Sequence, residues 1–310
     1  MTQITGQTKP PWMIDRAAEP LPWAWLRDYC QLAKLRLTLM VVITTFVGYG
    51  MGSRHIDPQH WSYLSLLATL AGTAFSCIGA GAFNQILERR IDAKMHRTKY
   101  RPLPAGRMSS RHAFVYAALA STLGILLLAA FAHALSAAFA AITIISYALI
   151  YTPVKRVSSV STIIGAVPGA LPPVIGFTAA TGHLGIEAYV LFALLFLWQL
   201  PHFLAIAWLY RADYARAELP VLPVVEYDGT STFRQILLSC LALLPLGLVP
   251  TFLGISGVLY FFVALGAGGM FLAAGTALAV YRTRRHARFL FFASLVYLPT
   301  VFSMMLIDRA

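Results

Sequence analysis

Long apolar stretches alternate with short polar ones along the chain after residue 36. A helix needs about 20 mostly apolar residues to cross a bilayer. Nine stretches approach that length, near residues 37–53, 61–86, 112–131, 134–152, 161–181, 187–210, 234–253, 255–280 and 288–307. The first is short, and the seventh and eighth meet at a tight joint near Gly254. The pattern predicts an all-α polytopic membrane protein, a bundle of about nine transmembrane helices.

The composition supports a membrane protein over a soluble one. The chain has 310 residues, of which 58% are hydrophobic and 12% charged, whereas soluble domains carry about 25% charged residues. Length alone would indicate about two soluble domains, but this composition favours one transmembrane domain, 37–310. Residues 1–36 lack the features of a signal peptide. We expect a cytoplasmic segment that lies partly along the membrane interface through Trp23, Trp25 and Leu26.

The positive charges follow the same alternation. Of the 24 Lys and Arg residues, 22 fall on alternate polar segments. Because such residues concentrate in cytoplasmic loops, we expect a protein integral to the bacterial cytoplasmic (inner) membrane, with its N-terminus inside and its C-terminus outside. The net charge of +12 could indicate nucleic acid. The bases lie in short loops between apolar stretches, however, so we expect membrane lipid and no nucleic acid as a partner.

One basic segment also contains acids at a regular spacing. In "NQILERRIDAKMHRTKYRPLPAG", residues 84–106, Asn84, Glu88 and Asp92 are four positions apart. Four residues advance a helix by about 400°, so the three side chains share one helix face. Such oxygen ligands suit Mg²⁺, whose shell substrate phosphate completes. The alternative is a solvated helix end with Glu–Arg pairs. The acids of a second polar segment, expected on the same membrane side, weaken that alternative.

Bases near these acids are suited to phosphate. Arginine forks and lysine point charges both bind phosphate well. Their preference for cytoplasmic loops explains most of these bases, yet bases beside metal-binding acids are also what a diphosphate leaving group needs. The candidates are Arg97, Arg101, Lys155 and Arg156.

A third polar group lies in "LFLWQLPHFLAIAWLYRADY", residues 195–214. If one helix persists through it, Gln199, His202 and Asp213 lie within about 80° of one another, although Pro201 removes a backbone donor. His202 would then lie about 16 Å deeper than Asp213. Polar residues at that depth face the bundle interior. They make an interhelical hydrogen bond, or they contact a polar substrate or a haem iron.

Four motifs, in order, resemble one family. They are N-x3-E-R-x2-D-x2-M-x-R-T-x2-R-P-L-P from Asn84 to Pro104, "YTPVKR", "GAVPGALPPVIG" and "FLWQLPHFLAIAWLYRADYARAELPVLPVV". The sequence from about Lys34 onward is similar to the protohaem IX farnesyltransferases, or haem O synthases. These are the haem-modifying branch of the UbiA-like intramembrane prenyltransferases. Members transfer farnesyl from farnesyl diphosphate to a vinyl group of haem B, with addition of water, giving haem O.

The resemblance implies a UbiA-like fold and a Mg²⁺-dependent prenyltransferase of haem biosynthesis that serves terminal oxidases. Farnesyl diphosphate and haem B are the implied substrates, and haem is not a cofactor. A homo-oligomer, or an association with other haem-modifying enzymes, stays open.

The resemblance also assigns residues. Asn84, Glu88 and Asp92 would form the catalytic Mg²⁺–diphosphate site, and Asp213 would be a second catalytic acid on the metal side. Ala217 stands where other prenyltransferases often carry a further acid, as it does in the haem branch. Val157, Ser161 and Glu218 depart from the family's usual Lys or Arg, Asn and Gly. Phosphate would contact Arg97, Arg101, Lys155 and Arg156, and the candidates for haem binding are Gln199 and His202.

Two other functions remain possible from the residues. A UbiA-like enzyme could prenylate an aromatic quinone precursor, but the haem-type motif spacing argues against it. A polytopic transporter should carry charges near the membrane midplane. Here the ladder and the acids of the sixth loop lie at the ends of the predicted helices, which disfavours a transporter.

Overall fold

The computed structural model describes residues 23–55, 62–226 and 228–308. Within these ranges the regular structure is helical and no strand occurs. The helices are α1 (Ala24–Leu32), α2 (Leu35–Gly52), α3 (Tyr63–Asp92), α4 (Ser110–Phe131), α5 (Ala134–Ile145), α6 (Thr152–Val154), α7 (Ser161–Ala170), α8 (Pro172–Thr181), α9 (Ile186–Leu209), α10 (Arg211–Arg216), α11 (Leu222–Val225), α12 (Thr230–Phe252), α13 (Val258–Tyr281) and α14 (Arg284–Ile307).

The predicted nine-span helical bundle is confirmed. Across the described residues, nine segments are long and apolar enough to cross a membrane. A π-helical turn, Ser146–Tyr151, joins α5 to α6 within the fourth span, and α7 and α8 together make the fifth. The helix of the second span extends past the apolar stretch 61–86 to Asp92, as the spacing of the acids predicted. Gly254 adopts a left-handed conformation, with φ of 68°, in the tight turn between α12 and α13.

Contacts between the connecting segments define two ends of the bundle. At one end Lys34 meets Asn84, and Lys94 pairs with Glu218. We call this the basic end. At the other end, here called the opposite end, the contacts are His55 with Glu187, Arg54 with the carbonyl of Ile255, and Asp308 with the amide of Tyr260.

Close helix packing holds α2 in place. A Cβ atom on Gly48 would lie 1.9 Å from the carbonyl oxygen of Pro173, and one on Gly176 would lie 2.0 Å from that of Thr45. No side chain fits at these distances, so glycine lets the backbones of α2 and α8 touch. Lys34, which directly precedes α2, is thereby positioned near α3.

The N-terminal segment is described only from Trp23. Trp23, directly before α1, and Trp25, on α1, are 60% and 62% exposed, and their position at the membrane interface stays a prediction. Residues 1–22 of the predicted 1–36 segment lie outside the described residues. On the inner face of α1, buried Asp28 pairs with Arg107 at 2.9 Å. That pair anchors α1 to the segment between α3 and α4, residues 93–109.

Candidate active site

The last turns of α3 hold the acidic ladder, and the ladder is buried. Asn84, Glu88 and Asp92 are 3%, 3% and 1% exposed. The spacing of four residues places them on one face, as predicted, and that face points into the protein. The solvated helix end considered from the sequence is therefore wrong. Burying carboxylates is unfavourable unless cations compensate them.

Three cations from three separate segments supply that compensation. The Nζ of Lys34, at the start of α2, donates to Oδ1 of Asn84 at 2.9 Å. The Nζ of Lys155, just after α6, donates to Oε1 of Glu88 at 2.9 Å. Nη1 of Arg101 donates to Oδ2 of Asp92 at 2.8 Å. Two of the predicted phosphate contacts, Arg101 and Lys155, thus lie directly on the ladder. We call these three polar pairs the ladder site; they are Lys34–Asn84, Lys155–Glu88 and Arg101–Asp92.

Lys34 is a site residue that the sequence pattern did not reveal, because there it is only one of the basic residues that indicate membrane topology. The residue is half-buried and has a left-handed backbone, with φ of 49°. Burial, and then the charge of Arg101, lower the pKa of Lys34 to about 8, against a smaller opposing effect of Glu88. A bound anion would oppose the lowering by stabilising the charged form. The sequence feature that could have indicated Lys34 is a basic residue directly before an apolar stretch.

Lys155 lies in a pocket of aromatic rings. Burial alone would lower its pKa, but Tyr151 and Glu88 outweigh that effect and the pKa of Lys155 is raised. Its Nζ lies 5.9 Å from the ring centroid of Tyr151, which stacks on Tyr147. Both tyrosines belong to the π-helical turn, a distortion that is frequent at functional sites. The turn therefore places Lys155 against the ladder as a stable cation.

The sequence placed the two acid-bearing loops only on the same side of the membrane, and the structure shows that they meet at Asp213. Its carboxylate accepts backbone hydrogen bonds from His96 and Arg97 and a side-chain bond from Arg216 at 2.6 Å. A weak burial effect would raise the pKa of Asp213, but these donors lower it overall. The guanidinium of Arg97 lies over the ring of Tyr210, 5.1 Å from the centroid. Arg97 is thus on the Asp213 side of the site.

Arg156, like Arg97, is an exposed member of the predicted phosphate contacts. Its side chain is exposed and donates to the carbonyl oxygen of Leu87. It contacts the main chain of α3 and not the carboxylates of the ladder.

The helix carrying His202 does not persist to Asp213. It ends at Leu209, because Tyr210 leaves the helical region, with φ of −110°, before α10 begins. The expected shared face and the expected separation of 16 Å both depended on a continuous helix, so neither follows from this structure.

Gln199 and His202 both make hydrogen bonds to neighbouring helices. Nε2 of Gln199 donates to the carbonyl oxygen of Ala166 at 2.8 Å. Nδ1 of His202 lies 2.7 Å from Oγ of Ser294, and its ring stacks on Trp198. These contacts match the interhelical alternative, and haem binding by either residue stays a prediction.

The ladder has the chemistry of a site for a hard cation. In the described part of the chain, no three His, Cys, Asp or Glu residues converge as a metal cluster, and Asp213 stands apart from the ladder. Oδ1 of Asp92, however, is buried and makes no hydrogen bond there. A buried carboxylate oxygen without a donor is expected to find a partner. Together with the oxygens of Asn84 and Glu88, it fits Mg²⁺, which prefers oxygen ligands and substrate phosphate.

Comparison with known proteins defines the class. The sequence matches the UbiA prenyltransferase family over residues 41–296, so the chain belongs to that family. A structure described as a digeranylgeranylglyceryl phosphate synthase is 18% identical and superposes with a TM-score of 0.76, covering 91% of this chain and 98% of that one. A UbiA homologue from Archaeoglobus fulgidus, bound to GPP and Mg²⁺, is 16% identical and covers 90% and 99%, with a TM-score of 0.65. These two structures support the fold.

Three curated relatives with higher sequence identity all come from one branch of that family. A Protoheme IX farnesyltransferase of Solibacter usitatus is 45% identical over 291 residues, covering 92% of this chain and 99% of the relative. One from Koribacter versatilis is 42% identical and covers 92% and 94%. The mitochondrial Protoheme IX farnesyltransferase of Arabidopsis thaliana is 37% identical and covers 92% and 65%.

Proposed function

We propose that this protein transfers the farnesyl group of farnesyl diphosphate to a vinyl group of haem B, with addition of water, giving haem O and diphosphate. The names of its curated relatives support this acceptor. The observation that carries the proposal is the ladder site. There, a buried carboxylate oxygen of Asp92 has no hydrogen bond, and three cations surround the ladder.

The reaction begins by breaking the bond between C1 of the farnesyl group and the diphosphate oxygen. The electron pair leaves with diphosphate, and fixed positive charges stabilise the departing oxygens. Lys34, Arg101 and Lys155 are placed to do this because all three already contact the end of α3. Mg²⁺ held by Asn84, Glu88 and Asp92 would add charge neutralisation. The proposed roles of Asp213 and Arg97 are to support the same anion from the second loop.

The acceptor then completes the product. The vinyl π electrons form the new carbon–carbon bond, which leaves a cation on the other vinyl carbon. Water adds there as hydroxyl and gives its proton to diphosphate or solvent. Stray water must not reach the farnesyl cation first, and the apolar bundle beneath the ladder provides that shielding. We propose that Gln199 and His202 contact the haem in this interior.

We also propose that the basic end faces the cytoplasm, with the N-terminus inside and the C-terminus outside. Single-cysteine variants in a background without Cys30, Cys77 and Cys240 test this. Leu184→Cys, at the opposite end, should react with an impermeant thiol reagent added to intact cells. Lys94→Cys, at the basic end, should react only after lysis, and its labelling in intact cells would contradict the orientation.

The proposed reaction is tested with detergent-solubilised protein, farnesyl diphosphate, haem B and Mg²⁺. Mass analysis of the extracted pigment should show haem plus one farnesyl group plus one water. Chelation should stop the reaction, and added Mg²⁺ should restore it. Unmodified haem, together with prenylation of an aromatic quinone precursor, would show that the acceptor is wrong.

A further inference from the structure

A cavity of about 350 Å³ opens at the basic end, and none of its lining residues belongs to the ladder site. One wall comes from the junction of α9 and α10, and the other from the turn between α13 and α14. The residues that matter for its chemistry are Trp208, Tyr210, Arg211, Asp213, Arg282 and Arg284.

Three arginines and one acid give this cavity a positive lining. Nη1 of Arg282 donates to the carbonyl oxygen of Asp228 at 3.2 Å, and Nη2 of Arg284 to that of Leu209 at 3.4 Å. The hydrogen bonds seen for these two guanidinium groups therefore run to main-chain oxygens and not to carboxylates. The single lining acid, Asp213, already pairs with Arg216. The cavity thus presents guanidinium forks suited to carboxylates.

The backbone at Arg282 is strained. Its φ of 53° is left-handed, at the position after α13 where glycine is the usual residue. The other non-glycine residues with positive φ in the described ranges are Lys34 and Glu218, also at the basic end. Strain of this kind concentrates at functional sites. An arginine here places its guanidinium in the cavity wall despite an unfavourable backbone.

The cavity lies between the loop that bears Arg97 and Arg101 and the seam between α9 and α14. Through Asp213 it adjoins the loop that bears Arg97 and Arg101. It also lies at the end of the seam between α9 and α14, where Arg284 meets Leu209. Seven residues earlier on α9, about 10 Å deeper, His202 meets Ser294 across the same seam.

We propose that this cavity binds the two propionate carboxylates of the haem acceptor, an inference that rests on the proposed function. Two singly charged carboxylates match the arginine forks. A diphosphate carries more negative charge than a carboxylate, so the carboxylate of Asp213 would repel it more strongly. The ladder site is already the proposed site for the diphosphate. Carboxylate binding here would orient the acceptor at the membrane surface next to the loop that holds the diphosphate. An anionic lipid headgroup would make similar contacts, so the test separates the two.

The experiment compares haem B with its dimethyl ester, which lacks both carboxylate charges. Dissociation constants are measured by absorbance titration on the purified full-length protein in detergent. Wild-type protein should bind haem B about tenfold or more tightly than the ester, as expected for charge-assisted hydrogen bonds. Arg284→Gln and Arg282→Gly should remove most of that preference by weakening haem B alone.

Two variants guard against a structural explanation. Arg282→Gly removes the side chain while relieving the left-handed strain, so it should fold at least as well as wild type. Arg285→Gln makes the same charge change as Arg284→Gln at an exposed residue outside the cavity lining, and it should keep the full preference.

The proposal is overturned if both cavity variants weaken haem B and the ester equally, or leave the preference as in wild type. It is also overturned if the variants lose only stabilisation by added phosphatidylglycerol, since the cavity is then a headgroup site. Wild-type protein that binds no haem would overturn the proposed function as well. Wild-type protein that binds haem, with the preference intact in both variants, contradicts this inference alone.

Discussion

The two ends of the bundle use charge in different ways. At the opposite end His55 and Glu187 meet at 2.7 Å across two loop-flanking helix ends, and Asp308 accepts from the amide of Tyr260 at the start of α13. At the basic end Lys34 and Lys155 converge on the side chains of one helix, α3. The contacts at the opposite end connect the ends of helices to one another. Those at the basic end bring charged side chains together around one site.

The pairs also differ in burial and in completeness. His55 keeps 45% of its side chain exposed, whereas Lys155 and Glu88 keep 14% and 4%. At the basic end one oxygen of Asp92 is buried without a hydrogen bond, although Arg101 binds the other. That oxygen is available to a ligand such as a bound cation. Substitutions at the two ends should therefore separate activity from stability.

The largest effect is expected from Asp92→Asn. The amide keeps the size of the side chain but loses its charge, so we expect turnover to fall by about 10²–10³-fold. Initial rates with farnesyl diphosphate and haem B measure this, and membrane protein levels should stay near those of wild type. Turnover equal to that of wild type would remove Asp92 from the site.

A smaller effect is expected from Lys155→Met. The variant loses a cation beside the proposed diphosphate, so the KM for farnesyl diphosphate should rise about tenfold or more while haem affinity changes little. Lys155→Arg, which keeps the charge, should restore part of the loss. Because Met also leaves Glu88 buried without its partner, thermal unfolding is measured in parallel. Equal losses for both substrates would indicate a general structural defect.

His202→Ala tests whether His202, in the seam between α9 and α14, contacts the acceptor. If His202 contacts the acceptor, the variant should lower haem transfer about tenfold and shift the haem absorption spectrum, with farnesyl diphosphate binding unchanged. Ser294→Ala is the matched control, because it removes the hydrogen bond of His202 and keeps the imidazole. If the two variants behave alike and haem affinity and spectrum stay unchanged, the histidine serves only the interhelical bond.

The smallest effect is expected at the opposite end, from Glu187→Gln. The pair with His55 is partly exposed, so its loss should reduce stability by less than about 1 kcal/mol. Turnover and both substrate affinities should stay as in wild type. Thermal unfolding and initial rates measure the two quantities. A large fall in turnover with normal stability would contradict the division of roles between the ends.

Much of the fold was predictable from local patterns. The length of the apolar stretches indicated nine spans, because lipid requires each span to be a long apolar helix. The placement of Lys and Arg on alternate polar segments indicated the same pattern of spans. The spacing of Asn84, Glu88 and Asp92 predicted one helix face, since helix periodicity depends only on neighbours in the chain. The motifs placed the chain in its family.

The sequence by itself determined these spans, the shared face of the ladder and the family. Only the tertiary structure decided that the ladder is buried and that Lys34, 50 residues before Asn84, lies against it. It also decided that the helix carrying His202 ends at Leu209 and that the backbone turns at Tyr210 before Asp213. The physical reason is range. Periodicity and transfer into lipid act on adjacent residues, whereas burial and charge pairing depend on which distant helices pack together.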